Sequence, residues 1–140
     1  MRVSDIAKRL NVSTDTIRYY TRIGLVSPSK SPNGYREFSE KDYRKLRFAL
    51  RAKTLGFSLS DIKALLEVSE HGETPYPIAR EVISKNMASL SQSIEESLAL
   101  FERMKEAMAV WDSMPDKLPD GETICALIEE WKEAPDQKKH

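Results

Sequence analysis

After Pro77 the chain runs to Trp111 without a glycine or a second proline, and its apolar residues fall into two interlocked rows. Ile83, Leu90, Ser97, Met104 and Trp111 recur every seven residues, and Met87, Ile94, Phe101 and Met108 recur at the same interval offset by four. Together they form one a/d seam over four heptads, the pattern of a coiled-coil helix. Roughly 30 residues rising about 1.5 Å each make a rod near 45 to 50 Å, too long to bury its stripe on the short stretch of chain before it. The expectation is a homodimer formed through this helix, the alternative being a helix that folds back along its own domain. Met104, Met108 and Trp111 then belong to the seam and not to a cofactor box.

The 140 residues carry 22 Lys+Arg and 22 Asp+Glu, but the zero sum conceals a division. Residues 1–56 hold 13 basic against 5 acidic side chains, +8, and residues 57–140 hold 9 against 17, −8. A basic half of this density suits a polyanion, and the acidic half would be turned away from the same surface. No apolar run reaches the roughly 18 residues that span a bilayer, and MRVSDIAKRL lacks the uncharged stretch of a signal peptide. The expectation is a cytoplasmic protein with no membrane partner. One cysteine, Cys125, excludes an internal disulfide and leaves any thiolate metal site short of ligands.

In the basic half, Ile6, Ala7 and Leu10 after Ser4 have helical spacing, Asn-Val interrupts, and Ser13 can cap a second helix through Ile17 and Tyr20. With Ile17 and Tyr20 or Thr21 facing the first helix, Asp15, Arg18, Tyr19 and Arg22 share the outer face. GLVSPSKSPNGYREF predicts two short strands joined around Pro32-Asn33-Gly34, where Asn-Gly tolerates a positive φ. A helix pair followed by a hairpin is a winged helix-turn-helix. Two capping boxes follow: Ser39 with Asp42 opens a helix that Gly56 ends, and Ser58 with Asp61 opens another through SDIKALLEV. SEHGETPYP reads as the loop before the rod, and DQKKH as a frayed tail.

VSDIAKRLNVSTDTIRYYTRIGLVSPSKSPNGYREFSEKDYRKLRFALRAKTLGFSLSDIKALL resembles the DNA-binding domain of the MerR family of bacterial transcription regulators, from Met1 to about Leu66. TIRYY, IGL, NGYR and LGFSL at these spacings carry the likeness; Thr21 stands where family members typically have an acidic residue. The resemblance implies a mainly α fold. A winged domain (1–72) is followed by an antiparallel coiled-coil dimerisation helix (73–112) and a short loop, terminal helix and tail (113–140). It implies recognition-helix contacts at Thr14, Asp15, Arg18 and Tyr19, with Tyr20 near the backbone, and wing contacts at Tyr35 and Arg36. The partners implied are double-stranded promoter DNA, a second copy of the chain, and RNA polymerase on the same promoter. Members that activate distort an over-long spacer so that the two polymerase elements come onto one face, a deformation of a few kcal/mol.

The effector is less legible. About 29 residues follow Trp111, which reads as too little chain for a drug-sized pocket. Short family members sense metals or oxidants through cysteines in this loop, and CALIEE resembles the start of the terminal helix, with Cys125 at the loop's second cysteine. The first cysteine is replaced near Met114-Pro115, and that at the start of the dimer helix by Pro75-Tyr76-Pro77. No cofactor is required. A metal ion at Cys125 would need Met114, or His71 of the partner subunit with a loop aspartate, and Tyr76 marks the remaining candidate position. A redox role for Cys125 is opposed by Glu122, Glu129 and Glu130, which disfavour a thiolate. The other readings are a small organic effector held between the dimer helix and the domain, or no ligand, with Cys125 an ordinary apolar residue. With only His71 and His140 and no nucleophile-base pair or phosphate loop, an enzyme is not expected. The competing class is a DNA-architectural or interaction module without sensing, such as an excisionase-like winged helix, which lacks a long dimer helix.

Overall fold

The computed structural model describes residues 1–132, so the DQKKH tail and His140 lie outside the described residues. The fold is mainly helical and forms two compact units, Met1–Met87 and Ala88–His140.

The first unit opens with α1 (Val3–Leu10), two residues earlier than the sequence predicts. The cause is Asp5, whose carboxylate accepts the Arg2 backbone N–H at 2.9 Å and so fixes the helix start ahead of Ser4. Asn11, in the left-handed region at φ 55°, ends it, with the Val12 N–H reaching back to the Ala7 carbonyl at 3.0 Å. α2 (Thr14–Arg22) starts as expected, with the Ser13 hydroxyl accepting from the Thr16 N–H at 3.2 Å. Its inward face carries Ile17 and Tyr20, both buried, whereas Thr21 donates its hydroxyl to the Ile17 carbonyl at 2.8 Å.

The wing is β1 (Ser29–Lys30) antiparallel to β2 (Arg36–Glu37), with Ser29 opposite Glu37 and Lys30 opposite Arg36. The turn departs from a simple Asn-Gly hairpin. Gly34 alone takes a positive φ (80°), and its N–H donates to the Ser31 carbonyl at 2.9 Å. Pro32 therefore presets the first central position, Asn33 stays in the ordinary region, and Gly34 supplies the reversal. The Phe38 N–H donates to the Met1 carbonyl at 2.7 Å, which ties the wing to the segment leading into α1.

Both predicted capping boxes are present. Ser39 and Asp42 open α3 (Glu40–Thr54), and Ser58 and Asp61 open α4 (Leu59–Glu70). Gly56 at φ 86° lets the Phe57 N–H bond the Ala52 carbonyl and its own N–H bond Lys53, which brings Phe57 back onto the core. The core of this unit is a single cluster around Ile6, Ile17, Leu46 and Ile62, each fully buried, with Leu25, Val26, Phe38 and Phe57 around them. Side chains of this size contribute about 1.5–3 kcal/mol each on full burial.

α4 extends to Glu70 and α5 (Tyr76–Trp111) begins at Tyr76, so the predicted loop shrinks to residues 71–75. Pro77 sits in the first turn of α5, where its missing N–H has no helical partner to lose. Ile78, Ala79, Val82 and Ile83 pack against the core, which is why this unit continues to Met87. In the second unit α5 runs on to Trp111 and is followed by a loop and α6 (Ala126–Glu129), a single turn. The Glu129 carboxylate accepts the backbone N–H of Ile124 and of Cys125, each at 2.8 Å, and this holds the entry to α6.

Candidate nucleic-acid interface

α2 presents Asp15, Arg18, Tyr19 and Arg22 on its outward face, with Thr14 half-buried beside them. The Arg18 guanidinium donates from one nitrogen to the Thr14 hydroxyl at 3.1 Å and to the Asp15 carboxylate at 3.2 Å. The pair is open to water, where an ion pair contributes little, so it aims Arg18 without consuming it. Tyr19 is 45% exposed; its ring meets that of Tyr20 edge-on at 5.4 Å, and the Arg22 guanidinium lies 5.7 Å from its centroid.

Tyr20 lies on the face toward α1, the core position that helical spacing also allowed it, and not near a DNA backbone. Only 5% of it is exposed and it belongs to the hydrophobic cluster. Three residues after Ile17 it falls on the same inward face, and burial raises its phenol pKa above the ordinary tyrosine value. It supports the outer face from beneath.

On the wing, Tyr35 is exposed and the Arg2 guanidinium stacks 4.3 Å from its ring centroid; Arg36 on β2 is also exposed. Helix and wing face a common cleft of about 950 Å³. Arg2, Arg18, Arg22, Lys30 and Arg36 line it together with Tyr35, Ser4 and Ser27, and no carboxylate is among the described residues that line it. Arg2 and Lys30 were missed in the sequence: periodicity says nothing about a residue ahead of a helix or within a two-residue strand, and the +8 excess does not say which cations converge.

The effector candidates divide between the units. In the first, His71 follows α4, its Nδ1 2.8 Å from the Glu67 carbonyl, and Tyr76 is exposed with the Arg80 guanidinium 5.8 Å from its ring. In the second, Met114 is 42% exposed and Cys125 half-buried. Among the described residues no three His, Cys, Asp or Glu side chains are grouped to hold a metal ion. One thiol with no such group does not fit a centre that needs four N or S ligands or two soft sulfurs.

Two further clefts are present. A groove of about 640 Å³ in the first unit is walled by Phe48, Leu55, Phe57, Tyr76, Ile83 and Met87. An open cleft of about 520 Å³ in the second unit lies between the last turns of α5 and α6, so α5 supplies one of its walls.

The profile of MerR HTH family regulatory proteins matches residues 1–68, and that described as MerR, DNA binding matches residues 43–107. The HTH-type transcriptional regulator HmrR of Rhizobium leguminosarum bv. viciae is 32% identical over 96 residues, 69% of this chain and 74% of that protein. The chain belongs to the MerR family. This MerR-type protein is a DNA-binding transcriptional regulator and not an enzyme. Its fold matches the transcription regulator PbrR691 from Ralstonia metallidurans CH34, a complex with lead(II), at a TM-score of 0.71 and 20% identity, over 93% of this chain and 98% of that one. The dual function regulator MerR from Bacillus megaterium MB1, in complex with mercury(II), is 30% identical with a TM-score of 0.54 over the same shares. No helix among the described residues is long and apolar enough to cross a membrane.

Proposed function

We propose that this MerR-family regulator works as a homodimer that grips one pseudo-palindromic promoter site and distorts it in response to an effector. The observation that carries the DNA reading is the shared cleft, with five cations from the residue before α1, from α2 and from the wing, and no opposing carboxylate among the described residues that line it. A sugar-phosphate backbone entering it would meet guanidinium donors from both sides, while Thr14, Asp15, Arg18 and Tyr19 reach the groove floor and Tyr35 and Arg36 hold the flanking backbone.

The dimer reading rests on the seam. Met87, Leu90, Ile94, Phe101, Met104 and Met108 are each between 52% and 67% exposed on α5, far more contiguous apolar surface than one helix leaves in water. Counted outward from Ser97, apolar residues occur at nearly matching distances in both directions. An antiparallel pair would thus set Ile94 against Phe101 of the partner subunit, and Leu90 against Met104 of the partner subunit. The end positions Ile83 and Trp111 are half-buried within their own units, so the pairing surface is the stretch from Met87 to Met108.

An effector that binds the distorting conformation more tightly shifts the dimer toward it without leaving the DNA, which aligns the promoter for RNA polymerase. Selection of bound fragments from a random duplex pool tests the proposal. Enrichment of two inverted half-sites supports it, and recovery of a lone half-site or of no motif refutes it.

A further inference from the structure

We propose that Lys63 on α4 is a positioning residue for DNA reading: its ammonium holds the far end of α2 and so sets the angle at which Arg18 and Tyr19 meet the duplex. The Lys63 Nζ donates to the Ile23 carbonyl at 3.2 Å, across 40 residues of chain. Ile23 is the residue at which α2 stops. The turn there supplies backbone donors to the carbonyls just before it. The Ile23 N–H bonds Tyr19, the Leu25 N–H bonds Tyr20, and the N–H of Gly24, at φ 83°, bonds Thr21. The Ile23 carbonyl instead takes a side chain from another helix. Among the described residues this is the one side-chain hydrogen bond that ties α2 or its caps to another element; those of Ser13, Arg18 and Thr21 all stay within residues 13–21.

α4 is a firm base for that contact. Ser58 and Asp61 close its start, Ile62 beside Lys63 is fully buried, and Leu65 joins the same core. Further along, the Glu70 carboxylate pairs with Lys45 of α3 at 3.0 Å. Lys63 itself is exposed and forms no ion pair among the described residues, so the Ile23 carbonyl is its partner. α2 is only nine residues long and sinks two side chains into the core, Ile17 and Tyr20. Two anchors one turn apart fix its depth but leave rotation about the line between them open. A cation at the helix end closes that freedom and also suits the helix dipole. Reading side chains must be held within about 0.5 Å of their working geometry, and base edges are more exacting partners than phosphates. Removing the third support should therefore lower discrimination between sequences more than affinity for DNA in general. This inference goes beyond the dimer and effector reading and does not depend on it.

Lys63→Met keeps most of the stem and removes the donor. In the intact chain it should bind the duplex enriched by selection about fivefold more weakly, with affinity for a random duplex and the salt dependence both unchanged. Lys63→Arg supplies a donor again and should recover the lost affinity. Thermal melts of both variants should match the parent, because an exposed side chain contributes little to stability. A direct phosphate contact would instead weaken both duplexes alike and shallow the salt dependence by about one unit of slope, and that result overturns the proposal. Unchanged affinity of Lys63→Met for the enriched duplex overturns it as well, as does a loss that Lys63→Arg fails to recover or that comes with a lower melting midpoint. The comparison runs equally on a lone half-site, so failure of the dimer reading would leave this test intact.

Discussion

Tyr19 and Tyr20 are adjacent, yet one helical step of roughly 100° sends the first to the outer face of α2 and the second into the core. Their roles can be separated experimentally. Tyr20→Phe should leave DNA affinity unchanged, whereas Arg18→Ala should reduce specific binding by about 1–3 kcal/mol; fluorescence anisotropy on the selected site measures both. Arg2 and Lys30 line the same cleft from outside α2. As phosphate partners they carry no base information, so Arg2→Ala and Lys30→Ala should weaken binding evenly across sequences and shallow the salt dependence by about one unit of slope each. The stripe on α2 was legible because helical periodicity fixes which side chains share a face. Arg2 and Lys30 were not, because their convergence depends on how the wing folds back toward α1.

The capping boxes and the end of α2 illustrate what local chemistry decides. Ser39 with Asp42 and Ser58 with Asp61 stand where backbone donors would otherwise be orphaned, and each closes as the sequence predicts. Ser58→Ala should cost about 1 kcal/mol in chemical denaturation. The Asp61 carboxyl is held below its ordinary pKa, first by the Ser58 backbone N–H. A lowered folded value means that its contribution is fully present above the unfolded pKa and is lost as pH falls through the folded one. Glu40 and Glu70 are lowered in the same direction by Arg9 and Lys45. Stability should therefore decline on the acid side of the unfolded carboxylate range, and Asp61→Asn should flatten that decline in a pH series of thermal melts. Elements whose limits depend on more than a cap were less legible. α1 begins earlier than expected because Asp5 reaches Arg2, and α6 is only one turn long.

At the scale of the molecule, the separation of charge and the seam act together. The basic unit would meet DNA while the acidic remainder would be repelled, which favours one orientation of approach. Two such units on one dimer would release counterions from several phosphates, so binding should fall steeply between low and physiological salt. Ile94→Glu places a carboxylate at the centre of the seam and should yield a monomer with weak DNA binding; a dimer persisting in light scattering would remove the seam from the interface. The sequence by itself determined the winged helix-turn-helix, the caps, the length of α5 and its apolar stripe. These follow from short-range rules of spacing, turn chemistry and backbone satisfaction that operate within a few residues. Only the tertiary structure decided that Arg2 and Lys30 join Arg18 and Arg36 at one cleft, and that Trp111 and Trp131 line another. Those placements depend on which residues distant in sequence the packed core brings together, and no local pattern encodes that distance.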